Sequence, residues 1–377
     1  TQNVILGNAI IGTGTFNTAA DLTLILTGPI SGTSYTKAGN GLLVLNGSNS
    51  FTGGLALTAG TLRTGSNLAL GTGTLTTSAG TTLQNGVNGV TLANAIAVGG
   101  PLTIDTQAFG YTLNGVISGS GPITKIGSGN LTLGGANTFT GGFNLNTGSL
   151  TLTNSGALGT GTLTTGAGTS LIAGTNLTLA NAIVMGGAFT LDTAANTVTL
   201  NGVVSGTGPL GKIGSGNLVL NAANSYTGGT ALNAGTITVT NNASLGTGAL
   251  AMAGGTTLTS TANIAGGAAQ NIALANAIST AGVGTINTGT GLTIILDGTI
   301  TGAGSIAKTG NGLLVLNGAN SYSGGTSLGA GTLRAGNSLA LGTGALSASA
   351  GTILQAGNAG VTLANAIAMA GGMTVDV

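Results

Sequence analysis

KIGSGNLVLNAANSYTGGTALNAGTITVT, residues 212 to 240, contains the reading on which the fold turns. Apolar residues alternate with small polar ones in NLVLN and TITVT, and Gly, Asn or Ser closes each run. Period-two alternation in runs of four to six residues is the mark of short half-buried strands, and the punctuation marks the turns between them. NLTLGG, SLTLTN, GTLTTGAG, NTVTLNGVV and LTIILDG repeat the pattern along the chain. Sustained 3.6-residue periodicity is missing. Gly at this density would cost a helix about 1 kcal/mol per site relative to Ala.

Its central octapeptide, ANSYTGGT at 223–230, is one of four. SNSFTGGL stands at 48–55, ANTFTGGF at 136–143 and ANSYSGGT at 319–326. Each follows one of the four lysines, Lys37, Lys125, Lys212 and Lys308, which are 88, 87 and 96 residues apart. After the octapeptide come an AGTL-type stretch, then LGTG at Leu70, Leu158, Leu245 and Leu341, then LANAI with Asn94, Asn181, Asn276 and Asn365. Asn8, in LGNAI, makes a fifth. The array therefore divides into a partial unit 1–36, units 37–124, 125–211 and 212–307, and a partial unit 308–377. A longer period lies over it: residues 37–106 match 308–377 without a gap, an offset of 271, at 47 of 70 positions. Just before, NTAADLTLIL from Asn17 matches NTGTGLTIIL from Asn287. We expect this segment to be a window on a longer array with a 271-residue super-repeat.

Short strands at regular spacing in an open-ended period favour a solenoid over a closed barrel, sandwich or propeller. Each unit of about 88 residues would make about four coils of about 22 residues, advancing ~19 Å at ~4.8 Å per stacked strand.

Composition closes off most chemistry. The 377 residues hold 75 Gly, 41% hydrophobic residues and only 3% charged residues, with no His and no Cys. High apolar content argues for a packed core rather than disorder. Without thiol or imidazole, the usual metal ligands, disulfides and Cys or His catalysis are absent, and five acids spread over the whole chain leave acid/base work without partners. The expectation is no catalytic, cofactor-binding or metal-binding residue, and not an enzyme. A formal charge of +1 gives no basic footprint for nucleic acid. No apolar run is long enough to span a membrane. GTGPLGKI from Gly206 fits G-x-G-x-x-G, but Ile213 stands where a P-loop needs Ser or Thr, and the equivalent turns read GSGPITK and GAGSIAK. It reads as a repeat turn.

The succession K-x-G-x-G-x-L-x-L-x-G-x-N-x-[YF]-[TS]-G-G, AGTL, LGTG resembles the autotransporter-associated β-strand repeat of bacterial passenger domains, over essentially the whole chain. That resemblance implies an all-β, right-handed parallel β-helix, secreted by the type V route to the outer surface of a Gram-negative cell. Family members include adhesins, structural passengers and stalks that carry enzymes.

The repeated residues invite functional readings. Phe51, Phe139, Tyr226 and Tyr322 could stack on sugars, but at ~19 Å spacing they are too sparse for one glycan track. We expect them to fill the core, with Asn49, Asn137, Asn224 and Asn320 taking the turn beside them and Gly-Gly bending the chain. The LANAI asparagines point inward by strand parity and should satisfy backbone groups at an inner corner. Asp105 with Lys125, and Asp192 with Lys212, lie about one coil apart and are expected to form exposed stacked pairs. The sequence thus points first to structural material outside the cell, a fibre, sheath or surface layer held together by self-association. The alternative is an adhesin whose solenoid is a stalk for cell-surface or glycan ligands, with the longer third unit, near TANIAGGAAQ at 261–270, as the first place to seek a ligand. Ice binding by outward Thr rows ranks below both, for want of long T-x-T ranks.

Overall fold

The computed structural model describes residues 2–261 and 271–377. Every described element is a β-strand, and every described strand pair is parallel. The chain forms two compact units, 1–186 and 187–377, each a coiled stack of strands, a β-solenoid.

In the first unit, one sheet starts at Gln2–Leu6 and runs through Leu22–Leu26, Leu42–Leu45, Thr61–Thr64, Thr81–Asn85, Leu102–Asp105 and Ile123–Ile126 to Ile183–Met185. A second carries Val90–Leu92, Tyr111–Leu113, Asn130–Leu133, Ser149–Leu152 and Thr169–Ala173, and a third runs from Ile10–Asn17 to Ile117–Gly119. In this first sheet Leu42 pairs with Thr61, Thr61 with Thr82, Leu102 with Thr81 and with Ile123, and Ile123 with Phe143, so a coil takes 19 to 21 residues here. Period-two alternation sends one set of side chains inward. Leu43, Leu62, Leu83 and Ile104 stack at one position on four consecutive coils, all fully buried. Burial stabilises each by about 1.5 to 3 kcal/mol, and each backbone N–H finds a carbonyl on the next coil.

The second unit is built alike. Its sheets run from Phe189–Asp192 to Ile300–Thr301, from Thr197–Leu200 to Ile367–Met369, and from Asn271–Leu274 to Thr374–Asp376. The step from Leu250 to Ile278 takes 28 residues where its neighbours take 20 and 22. That longer coil holds the insertion seen in the sequence. Residues 262–270, most of the expected binding insertion, lie outside the described residues.

Register also sets the repeat phase. In the first unit Lys37 lies on the third sheet and Lys125 on the first; in the second, Lys212 and Lys308 again fall on different sheets. Walking face by face from one lysine to the next takes thirteen segments in each unit, or four and a third coils. Within each unit the second lysine therefore stands one face on from the first.

The Gly-Gly pair shows why the octapeptide tolerates no side chain. Gly229 has φ +81, and a Cβ on Gly228 would lie 2.4 Å from the Gly208 carbonyl carbon. Left-handed backbone and close approach together demand glycine.

Candidate functional site

The asparagine of each octapeptide is a bracket across three coils. In the second repeat, Ile117 N donates to Asn137 Oδ1 at 2.7 Å, and Asn137 Nδ2 donates to Ala157 O at 2.6 Å. Asn49 holds Ile30 N and Ala69 O, Asn224 holds Val204 N and Ser244 O, and Asn320 holds Ile300 N and Ala340 O in the same way. Each amide ties the coil before to the coil after through its own side chain. The expected turn-forming asparagine is instead an interior connector, since an amide buried there must pair both its ends.

Phe51, Phe139, Tyr226 and Tyr322 are fully buried and present no face to a ligand. The residue four places on matches the ring chemically. The hydroxyls of Tyr226 and Tyr322 bond Thr230 and Thr326 at 2.6 and 2.5 Å, whereas Phe51 and Phe139 are followed by Leu55 and Phe143. Burial pushes the Tyr226 and Tyr322 phenols up to about 12, the threonine bond pulling partly back. That covariation stands in the sequence, in SYTGGT against SFTGGL.

Each LANAI asparagine bridges to the LGTG turn of the preceding coil. Asn94 Nδ2 donates to Gly71 O and Gly73 O, and Asn181, Asn276 and Asn365 repeat this at Gly159 and Gly161, Gly246 and Gly248, and Gly342 and Gly344. Asn8 is exposed.

The lysines overturn their sequence reading. Lys37, Lys125, Lys212 and Lys308 are all fully buried, each taking the inward place that Leu or Ile holds on an adjoining coil: Ile104, Lys125 and Leu145 are in register. Lys37 Nζ donates to Ala38 O, Gly39 O and Ala59 O at 2.9, 2.6 and 3.0 Å, and Lys212 and Lys308 find three carbonyls each in the same pattern. Lys125 adds Thr106 Oγ1 to its three carbonyls. The ammonium closes the corner by saturating carbonyls that the turn leaves unpaired. Burial lowers each pKa to about 8, and Asp105 and Asp192 raise Lys125 and Lys212 slightly against that trend. The expected exposed Asp–Lys pairs are therefore absent: each acid turns an oxygen to the backbone of the turn that follows it. Asp105 Oδ1 accepts Gln107 N at 2.8 Å, and Asp192 Oδ1 accepts Ala194 N at 2.7 Å, fixing left-handed residues at φ 55 and 49. Period two in ITKI, with Lys125 two places from the buried Ile123, is the signal that places the lysine inside.

One outward constellation was missed. Arg63, Gln84 and Asp105 stand in register on three consecutive coils, with Arg63 Nε donating to Gln84 Oε1 at 2.5 Å and Gln84 Nε2 to Asp105 Oδ2 at 2.8 Å. Arg334, Gln355 and Asp376 repeat it: Arg334 Nε and Nη2 donate to Gln355 Oε1 at 3.2 and 3.0 Å, and Gln355 Nε2 to Asp376 Oδ2 at 2.8 Å. These ladders contain both arginines of the chain. The alignment of Arg63 with Arg334 and of Asp105 with Asp376 was visible, but the glutamine between them carried no charge to attract notice.

Against known proteins, the passenger-associated-transport-repeat pattern matches residues 36–63, 123–155, 210–239 and 306–335, each segment opening just before a buried lysine and enclosing its octapeptide. The chain carries four segments similar to the passenger-associated-transport repeat. A curated relative, the adhesin BmaC autotransporter of Brucella suis biovar 1 (strain 1330), is 40% identical over 144 residues, 35% of this chain and 4% of that protein. The chain thus spans a small fraction of that relative's length. No solved structure matches. Within the repeats, every shared residue just described works inside the solenoid: lysine at the corner, asparagine across coils, aromatic in the core. Among the described residues, no three His, Cys, Asp or Glu side chains gather where they could hold a metal ion.

Proposed function

We propose that this chain is part of an adhesive autotransporter passenger, displayed outside the cell or on its surface, in which the passenger repeats form the scaffold and outward side chains do the binding. The supporting observation is the fourfold passenger repeat together with likeness to a protein named as an adhesin. The fibre, sheath or surface-layer reading has less support. Low charge allows self-association, but the likeness to a protein named as an adhesin does not point to a filament. The segment is read as non-enzymatic because its acids are scattered and it lacks His and Cys.

Adhesion of cells displaying the passenger, with and without an in-frame deletion of residues 37–377, tests the reading. Display held constant with adhesion lost supports it. Unchanged adhesion refutes it for this segment.

A further inference from the structure

The Arg–Gln–Asp ladder obeys a different rule from everything else in the repeat. Buried lysine, bracket asparagine, LANAI asparagine and Gly-Gly recur in all four copies. Positions equivalent to Arg63, Gln84 and Asp105 read Thr151, Ile172 and Asp192 in the second repeat, and Thr238, Thr259 and Asn287 in the third. The coils there stack in the same register: Thr151 pairs with Ile172, Thr238 with Thr259, and Thr259 with Asn287. Coil stacking therefore does not need the ladder. It returns after the full 271-residue super-repeat.

Its surroundings differ too. Turns leaving the three ladder strands expose Leu68, Val87 and Phe109, at 50, 46 and 36%. Phe51, Phe139, Phe143, Phe189, Tyr35, Tyr111, Tyr226 and Tyr322 are buried, so Phe109 is the aromatic most open to solvent beside this ladder. Leu339, 56% exposed, occupies the Leu68 position beside the second ladder, where the two ladder-free repeats have Gly156 and Ala243. Thr61, Thr82, Thr103 and Thr124 form a half-buried hydroxyl row on the same sheet, in register with one another.

Hydrogen-bond capacity decides the ligand's chemistry. Asp105 already accepts from Gln84 Nε2, Gln107 N and Gln107 Nε2, and Gln84 is engaged at both ends. Arg63 commits only Nε in the ladder, leaving the outer edge of its fork as donors suited to a carboxylate. The part-exposed Phe109 ring, a hydroxyl row and a free guanidinium edge together match a sugar chain bearing acidic groups.

We propose that the Arg63–Gln84–Asp105 ladder, with Phe109 and the Thr61–Thr124 row beside it, is a docking surface for acidic saccharide. It rests on the adhesive reading and supplies that reading's ligand class. The test applies the purified folded chain to a printed array of neutral, uronate-bearing and sialate-bearing oligosaccharides. Alongside run Arg63→Gln with Arg334→Gln, Phe109→Ala, and Thr151→Ala at the equivalent, half-buried place in a ladder-free repeat. Expected are retention on acidic sugars alone, a tenfold or greater loss in the double arginine variant and in Phe109→Ala, no change in retention by Thr151→Ala, and a cooperative melt retained in all variants. Retention on neutral sugars alike, no retention on any sugar, or retention indifferent to the arginines overturns it. If displayed cells still adhere while the purified chain ignores every sugar, the docking surface falls and the adhesive reading stands.

Discussion

At the scale of the residue, this solenoid is held by a few polar side chains buried on purpose. Replacing Asn224 with Ala orphans Val204 N and Ser244 O together, which should cost about 3 kcal/mol, far more than Ala at the exposed Asn40. Denaturant unfolding of both variants checks this. Tyr226→Phe alone strands the Thr230 hydroxyl and should cost about 1 to 2 kcal/mol. Tyr226→Phe with Thr230→Val should recover most of that loss, because the chain already writes the apolar pair at Phe139 and Phe143. A double-mutant cycle showing no coupling would contradict the pairing. The lysines give a pH signature. Each holds its proton less tightly when folded, at about 8 against 10.5, so between those values the unfolded chain binds more protons and stability rises with pH. Tyr226 and Tyr322, raised from 10.0 to about 12, reverse the trend above pH 10, where the unfolded chain loses its phenolic protons first. The melting temperature should therefore climb from pH 8 toward 10 and fall beyond it. A flat profile from pH 7 to 10 would show that the lysines are not buried as charges.

At the scale of the element, strands and turns were legible and their side-chain partners less so. Alternation in NLTLGG and LTIILDG announced strands because apolar and polar residues separate onto two faces. Gly-Gly announced a bend because only glycine accepts both the left-handed φ and the carbonyl contact. Gly229→Ala should thus destabilise markedly, by about 1 to 3 kcal/mol, while Gly168→Ala, also at positive φ but with open space around it, should cost less. Thermal melts of the two would rank them. Buried lysine was hidden by its charge, which argues for the surface until parity is weighed against it. The bracket asparagine was hidden because its partners lie 20 residues away on either side, a distance that means nothing until the coil length is known. The Arg–Gln–Asp ladder was half visible, its two charges aligned by the repeat and its uncharged middle rung overlooked.

At the scale of the whole molecule, repetition and geometry are linked: thirteen face segments per repeat put successive lysines of one unit on different faces. Sequence gave the 88- and 271-residue periods, but the extra third of a coil lies beyond what period alone can reveal. Scaffold residues recur at the short period, as stacking demands. The arginines Arg63 and Arg334 recur at the long one, unlike the scaffold residues. Charge reversal in the ladder, Arg63→Asp with Arg334→Asp, should accordingly change binding and leave the far-ultraviolet circular dichroism of the β-solenoid intact.

Because the chain has no cysteine, disulfide trapping reads coil register most directly. Thr82 and Thr103 are register partners on adjoining coils, at the ~4.8 Å strand spacing that a disulfide can bridge. Under mild oxidation, Thr82→Cys with Thr103→Cys should close nearly completely, whereas Thr82→Cys with Asp105→Cys should stay reduced. Failure of the first pair, or closure of the second in its place, would contradict the 21-residue coil and the repeat phase that follows from it.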